Sequence, residues 1–172
     1  MAAIAAMPVP MPAKRSVLDR YDRVLLAAIQ HDASASQSEL GARANLSTAA
    51  VNRRLRLLAQ DGVIEGWQAR INPAAVGYDL TIVVEVKMES ERADLLDDMR
   101  KRFEACPQIQ QCYYVAGECD FVLIVVVRDM AQYVSLTRQF FHGNNNVRSF
   151  KTLVAMDRIK TGVEIPIDDL EP

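Results

Sequence analysis

Along the first third of the chain, apolar positions return at helical spacing in three short runs, each opened by a capping residue. Leu18, Tyr21, Leu25 and Ile29 lie at i, i+3, i+7 and i+11, one face of a helix. Asp19, with Asp22 three residues on, is N-cap chemistry, so a helix is expected from Asp19 to Ile29. Ser36 followed by Glu39 reads as a capping box for a second helix, Gln37 to Ala44, with Leu40 and Ala44 turned inward. Asn45-Leu46 makes the turn, asparagine being one of the few residues that tolerate a left-handed backbone. Ser47 caps a third helix that runs to about Gln60, where Asp61-Gly62 stops it. Short helices in this order, the last two joined by a tight turn, form the helix-turn-helix pattern.

Val63-Ile64 then leads into an extended segment, Glu65 to Ile71, which Asn72-Pro73 ends. From there the period changes. Leu80 to Met88 is β-branched and strand-like, and Glu91 to Ala105 is an amphipathic helix stopped by Pro107. Ile109 to Ala116 reads as a strand, Gly117-Glu118-Cys119 as a tight turn, and Asp120 to Val127 as a more buried strand. Asp129 caps another helix with an apolar face of Tyr133, Val134, Leu136, Thr137, Phe140 and Phe141. Gly143 to Asn146 is a loop, and Val147 to Met156 a last strand. The order β-α-β-β-α-β is the ferredoxin-like split unit. The expected plan is a flexible tail at 1–15, a helix-turn-helix domain at 16–66, a linker strand or hinge at 67–78, a ferredoxin-like domain at 79–160 and a C-terminal tail at 161–172.

The third helix sorts its chemistry by face. Val51, Leu55 and Leu58 pack inward, while Thr48, Asn52, Arg53 and Arg56 lie outward. The outer set suits a major groove, where arginine bridges guanine O6 and N7 and asparagine bridges adenine N6 and N7. Ser47 and its neighbours offer free amides to a phosphate at a helix N-terminus. Arg43 and Arg54 fit contacts to the DNA backbone, which position a domain without reading sequence. A solvated arginine-rich face is the plain alternative for these charges taken alone.

Net charge is −2, which by itself gives no hint of nucleic acid. Its distribution is more telling: Lys14 to Asn72 holds nine basic against six acidic residues, and the rest of the chain eleven against sixteen. A basic front on an acidic back fits two domains, one of which meets phosphate. Three cysteines, Cys106, Cys112 and Cys119, form no CxxC pair, which favours a reducing compartment over a disulfide or zinc framework. Cys106 and Cys112 read as small core residues, Cys119 as a turn residue with a possible redox alternative. Trp67 is expected to pack where the DNA-binding unit meets the linker. His31 and His142 are isolated, and Asp94, Asp97 and Asp98 mark the outside of a helix. The longest apolar run, Phe121 to Val127, is too short to span a bilayer. A cytoplasmic protein with no metal, no cofactor and no membrane partner is expected.

Taken in order, Leu18-Asp19-Arg20-Tyr21-Asp22, Leu46-Ser47, Val51-Asn52-Arg53-Arg54-Leu55-Arg56, Asp61-Gly62-Val63-Ile64 and Asn72-Pro73 resemble the Lrp/AsnC (feast/famine) family of transcription regulators. Val115-Ala116-Gly117-Glu118-Cys119-Asp120, Asp129-Met130 with Tyr133, and Val147 to Met156 continue the resemblance, which covers Leu18 to Lys160. It implies an α+β fold: an N-terminal winged helix-turn-helix followed by a C-terminal ferredoxin-like βαββαβ domain of the RAM type. It also implies a homodimer through the C-terminal sheets, higher assembly, a near-palindromic double-stranded operator, and an amino acid or related metabolite bound between C-terminal domains. The ligand residues implied are Tyr114, Gly117, Glu118, Cys119, Asp120, Val154 and Ala155, with Asp120 receiving an α-amino group and the turn amides a carboxylate. The chain departs from the family pattern at Thr48, where many members have proline, at Glu118, where many have Asp or Asn, and at Cys119, which replaces a common aromatic. A non-enzyme is expected. The alternatives are a tetrapyrrole (sirohaem) decarboxylase-like enzyme on a similar scaffold, which calls for acid/base groups, and an architectural DNA-compacting protein, which the acidic pI of about 5.7 disfavours.

Overall fold

The computed structural model describes residues 18–142 and 144–167. The tail expected at 1–15, Gly143 of the expected loop and the last five residues lie outside that range. The described residues divide into two compact units, one of 18–69 with 162–167 and one of Arg70–Thr161.

In the first unit, α1 (Arg20–His31), α2 (Gln37–Ala44) and α3 (Thr48–Gln60) begin where local chemistry sets them. Asp19 and Asp22 cap each other's amides at α1, and Ser36 and Glu39 do the same at α2, satisfying donors that a first helical turn leaves orphaned. Ser47 accepts from the Ala50 amide at α3. Asn45 ends α2 in the left-handed region at φ 53. Gly62, at φ 73, turns the chain so that the Val63 and Ile64 amides return to the Leu58 carbonyl. The helices enclose Leu25, Leu26, Ala28, Ile29, Leu40, Ala44, Val51 and Leu58, with Leu18, Leu46, Leu55, Val63 and Ile64 at the margin. α2 and α3 approach closely because Gly41 has no side chain: a Cβ there would stand 2.6 Å from the Leu46 carbonyl oxygen.

The segment expected as a linker strand carries no ladder from Glu65 to Asn72. A strand needs a neighbour for its amides, and the described residues supply none there. Trp67, expected to pack, is 53% exposed. After Pro73 the chain makes one 3-10 turn, Ala74–Val76, held by Asn72 Oδ1 on the Ala74 amide.

The second unit runs β1 (Leu80–Met88), α4 (Ala93–Glu104), β2 (Ile109–Tyr114), β3 (Phe121–Val127), α5 (Met130–Phe140) and β4 (Val147–Val154). The sheet order is β2-β3-β1-β4, with every neighbouring pair antiparallel. Residues of β1 alternate between faces. Ile82, Val84, Val86 and Met88 are buried, on the side where Leu96, Met99 and Phe103 of α4 and Tyr133, Leu136 and Phe140 of α5 are also buried. Phe103 stands edge-on to Phe121 at 5.4 Å in this core. Val134, expected inward, is 42% exposed. Among the described residues, neither helix of this unit covers the opposite face. There Ile124, Val83 and Leu153 lie in register across three strands, beside Val122 and Tyr113.

Candidate nucleic-acid interface and ligand turn

The outward face of α3 is open where the sequence places groove-reading chemistry. Ser47, Thr48, Asn52, Arg53 and Arg56 are exposed, while Val51 and Leu58 anchor the other side. Neither Arg53 nor Arg56 has an ion-pair partner among the described residues, so both guanidinium groups stay available to acceptors from outside. Asn52 Oδ1 accepts from Gln37 Nε2 at 2.8 Å, which fixes the amide and leaves its own donor edge outward. Sequence reasoning missed Gln37, whose role depends on α2 and α3 packing together. The Thr48 and Ala49 amides at the start of α3 find no acceptor among the described residues, as a phosphate-binding helix start requires. Arg43 is exposed in the last turn of α2. The Ser36 amide and hydroxyl, with Arg43 adding, hold the Glu39 carboxyl below its ordinary value.

Arg54 does not belong to that open face. Its guanidinium lies 2.8 Å from Asp19 and 2.7 Å from Asp22 and 5.3 Å over the Tyr21 ring, so it ties α3 to the start of α1. Arg54, expected at the DNA backbone, is thus engaged by two carboxylates of its own unit. Desolvation pushes the Asp19 carboxyl up, but the Asp22 amide and Arg54 outweigh it and hold it below the ordinary 3.8. A carboxylate with a depressed pKa contributes stability above its unfolded value and loses it as pH falls through the folded one. Arg54→Ala should therefore lower the stability of the unit by about 1 kcal/mol at neutral pH, the range of a part-exposed charged pair. The deficit, read by urea melts, should shrink below the ordinary carboxylate range.

In the second unit, the turn after β2 is pinned from beneath. Asp120 is 5% exposed; its carboxylate accepts from the Met88 amide at 2.7 Å and pairs with Lys87 Nζ at 3.2 Å. Its own amide donates to the Val86 carbonyl. The carboxylate expected to receive an α-amino group is thus engaged by the protein itself, neutralised by a lysine that the sequence reading did not single out. Above it, Gly117 and Glu118 are exposed and Cys119 is half-buried. The amides of these three residues donate to no acceptor among the described residues. Tyr114 faces the helices, 5.2 Å from Phe121 and under the Arg100 guanidinium at 5.0 Å.

Val154 and Ala155 do not join this turn within one chain. Phe121, next to the turn, pairs with Val86, whereas Val154 pairs with Ile82, four residues or about 13 Å away along β1. Both β3 and β4 run antiparallel to β1, so they run parallel to each other, and the end of β4 lies at the far end of the sheet from the start of β3. The expectation that these residues lie near the turn is corrected by that register. Cys106 is buried as expected, but Cys112 is exposed on β2. Desolvation and the Glu104 charge push its thiol up to about 11, which leaves it protonated and unreactive at neutral pH. His31 and His142 are exposed at helix ends, and no group of His, Cys, Asp and Glu among the described residues could hold a metal.

A family model for winged helix-turn-helix DNA-binding matches residues 18–65, and one for the Lrp/AsnC ligand binding domain matches residues 81–165. An HTH-type transcriptional regulator, y4tD, of Sinorhizobium fredii is 40% identical over 88% of this chain and 89% of its own length. The chain belongs to the Lrp/AsnC family of transcriptional regulators. Solved Lrp/AsnC structures share the fold. An AsnC family regulator from Agrobacterium tumefaciens superposes with a TM-score of 0.82 at 28% identity, covering 88% of this chain and 98% of that one. A feast or famine regulatory protein from Mycobacterium tuberculosis, complexed with L-methionine, gives 0.77 at 34% identity, covering 86% and 98%. As in an Lrp/AsnC regulator, the chain carries a helix-turn-helix followed by a four-stranded antiparallel sheet with two helices. No helix among the described residues is long and apolar enough to cross a membrane.

Proposed function

We propose that the chain works as a homodimer or higher homo-oligomer that reads a near-palindromic operator through α3 and answers to an amino acid, or a closely related metabolite, held at the Gly117–Asp120 turn. The observation that carries the DNA reading is the exposed, unpaired Arg53 and Arg56 beside Asn52 on a capped helix; Arg43, Ser47 and Thr48 would add backbone contacts. Two such helices related by a two-fold axis would meet half-sites about one helical turn apart. Support for the dimer comes from the uncovered sheet face: Ile124, Val83 and Leu153 form a row that water does not favour, where a solvent-facing sheet would alternate to polar residues.

For the effector, three consecutive turn amides without an internal acceptor favour a carboxylate. Asp120 being engaged, the exposed Glu118 is the group that would receive the α-amino end. Val154 and Ala155 would reach the same ligand only from another copy, which agrees with a site formed between C-terminal domains. Ligand bound there would favour one assembly over another by mass action and so alter operator affinity. The proposed role is regulatory and cytoplasmic, without catalysis.

A thermal-shift screen of the twenty amino acids and closely related metabolites should raise the Tm by a few degrees for at least one of them at about 100 times its Kd. The shift should vanish in Glu118→Ala. A screen in which nothing stabilises the protein, or a stabilising ligand indifferent to Glu118→Ala, would remove the turn as the effector site.

A further inference from the structure

Residues 162–167, within the stretch expected as a C-terminal tail, group with the first unit. Gln30, on the last turn of α1, holds Ile165 from both sides of its peptide: Gln30 Nε2 donates to the Ile165 carbonyl at 3.1 Å, and the Ile165 amide donates to Gln30 Oε1 at 2.8 Å. A primary amide used in this way presents the same donor and acceptor pair as a neighbouring strand. Two residues later, Ile167 packs against the helix-turn-helix core and is half-buried, while Ile165 itself is 66% exposed. The attachment thus consists of a two-point polar clamp and one apolar anchor.

The sequence between them suits docking. Pro166 has no amide to satisfy, and it biases Ile165 towards an extended backbone. The segment is therefore partly shaped before it binds, which lowers the entropy lost on docking. It also arrives from the other unit: the chain leaves β4 at Val154, and residues 156–161 are exposed before Gly162 rejoins the first unit.

We infer that Gln30 and the adjoining core edge form a docking groove for the chain's own extended Ile165-Pro166-Ile167 segment, and that the helix-turn-helix is complete only when this strap is seated. The DNA-binding unit then has two covalent connections to the β4-bearing unit, one through residues 61–79 and one through the strap.

Hydrogen exchange followed by mass spectrometry on the full chain tests this without DNA, so its outcome is independent of the operator reading. Gln30→Glu keeps the size of the side chain but sets a carboxylate oxygen against the Ile165 carbonyl. It should speed exchange across Arg20–His31 by about three- to tenfold, the worth of one or two exposed hydrogen bonds. A chain ending at Thr161 should show at least that effect. Exchange across Phe121–Val127 should match the parent in both. Parental protection of α1 in the shortened chain would overturn the strap. Loosening on shortening with none in Gln30→Glu would overturn Gln30 as its seat.

Discussion

Arg53→Ala is expected to lower affinity for the preferred operator about 10- to 100-fold for each α3 engaged, the loss of one bidentate base contact. In a dimer the deficit is felt twice. Arg53 is exposed and has no ion-pair partner among the described residues, so the variant should unfold like the parent. Affinity for random DNA should fall much less, because only one positive charge is removed from the phosphate-facing field. The ratio of specific to random binding, measured at one stated salt concentration, therefore collapses while stability stays put. Arg54→Ala should behave in the opposite way, its loss falling on stability. An Arg53→Ala protein that keeps its full preference for the operator would show that α3 does not read the bases.

Gly41→Ala should destabilise the helix-turn-helix by about 2 kcal/mol or more, although a glycine-to-alanine change inside a helix normally gains nearly 1 kcal/mol. The added Cβ would stand 2.6 Å from the Leu46 backbone oxygen and 3.7 Å from Val51. Leu46 cannot simply swing aside. Its amide donates to the Gly41 carbonyl at 2.9 Å, and its side chain packs against the core. Overpacking against backbone outweighs the propensity gain, at roughly 1–3 kcal/mol before the turn itself is disturbed. Gly66→Ala is the matched control. A Cβ there meets nothing within 4 Å, and the change should be neutral within about 0.5 kcal/mol. Urea melts of both variants decide the matter; equal stability would mean that α2 and α3 can separate at little cost.

What the sequence made legible follows the reach of each interaction. Asp19, Ser36 and Ser47 cap helices through bonds to residues three positions away, so a linear reading finds them. The β-α-β-β-α-β order came from hydrophobic period, and buried positions such as Val84, Leu123 and Leu136 follow from alternation and helical spacing. Interactions between distant parts of the chain were not legible. Arg54 meets Asp22 across 32 positions, Lys87 meets Asp120 across 33, and Gln30 meets Ile165 across 135. None of these pairs leaves a local trace. Val154 was set beside the turn because order along the chain does not reveal which end of a strand lies where; the antiparallel register does. The linker shows the reverse limit. Its residues are strand-like, but Trp67 and Ile71 are exposed, because β character cannot form a ladder without a second strand.

If α3 enters the major groove with Asn52, Arg53 and Arg56 facing the bases, methylation interference will register it, since guanine N7 lies in the major groove and adenine N3 in the minor. Binding of the parent to its selected operator should be blocked by N7 methylation at a few guanines in each half-site, and Arg53→Ala should become indifferent to at least one of them. Interference confined to adenine N3, or the same guanine pattern in parent and variant, would contradict the account.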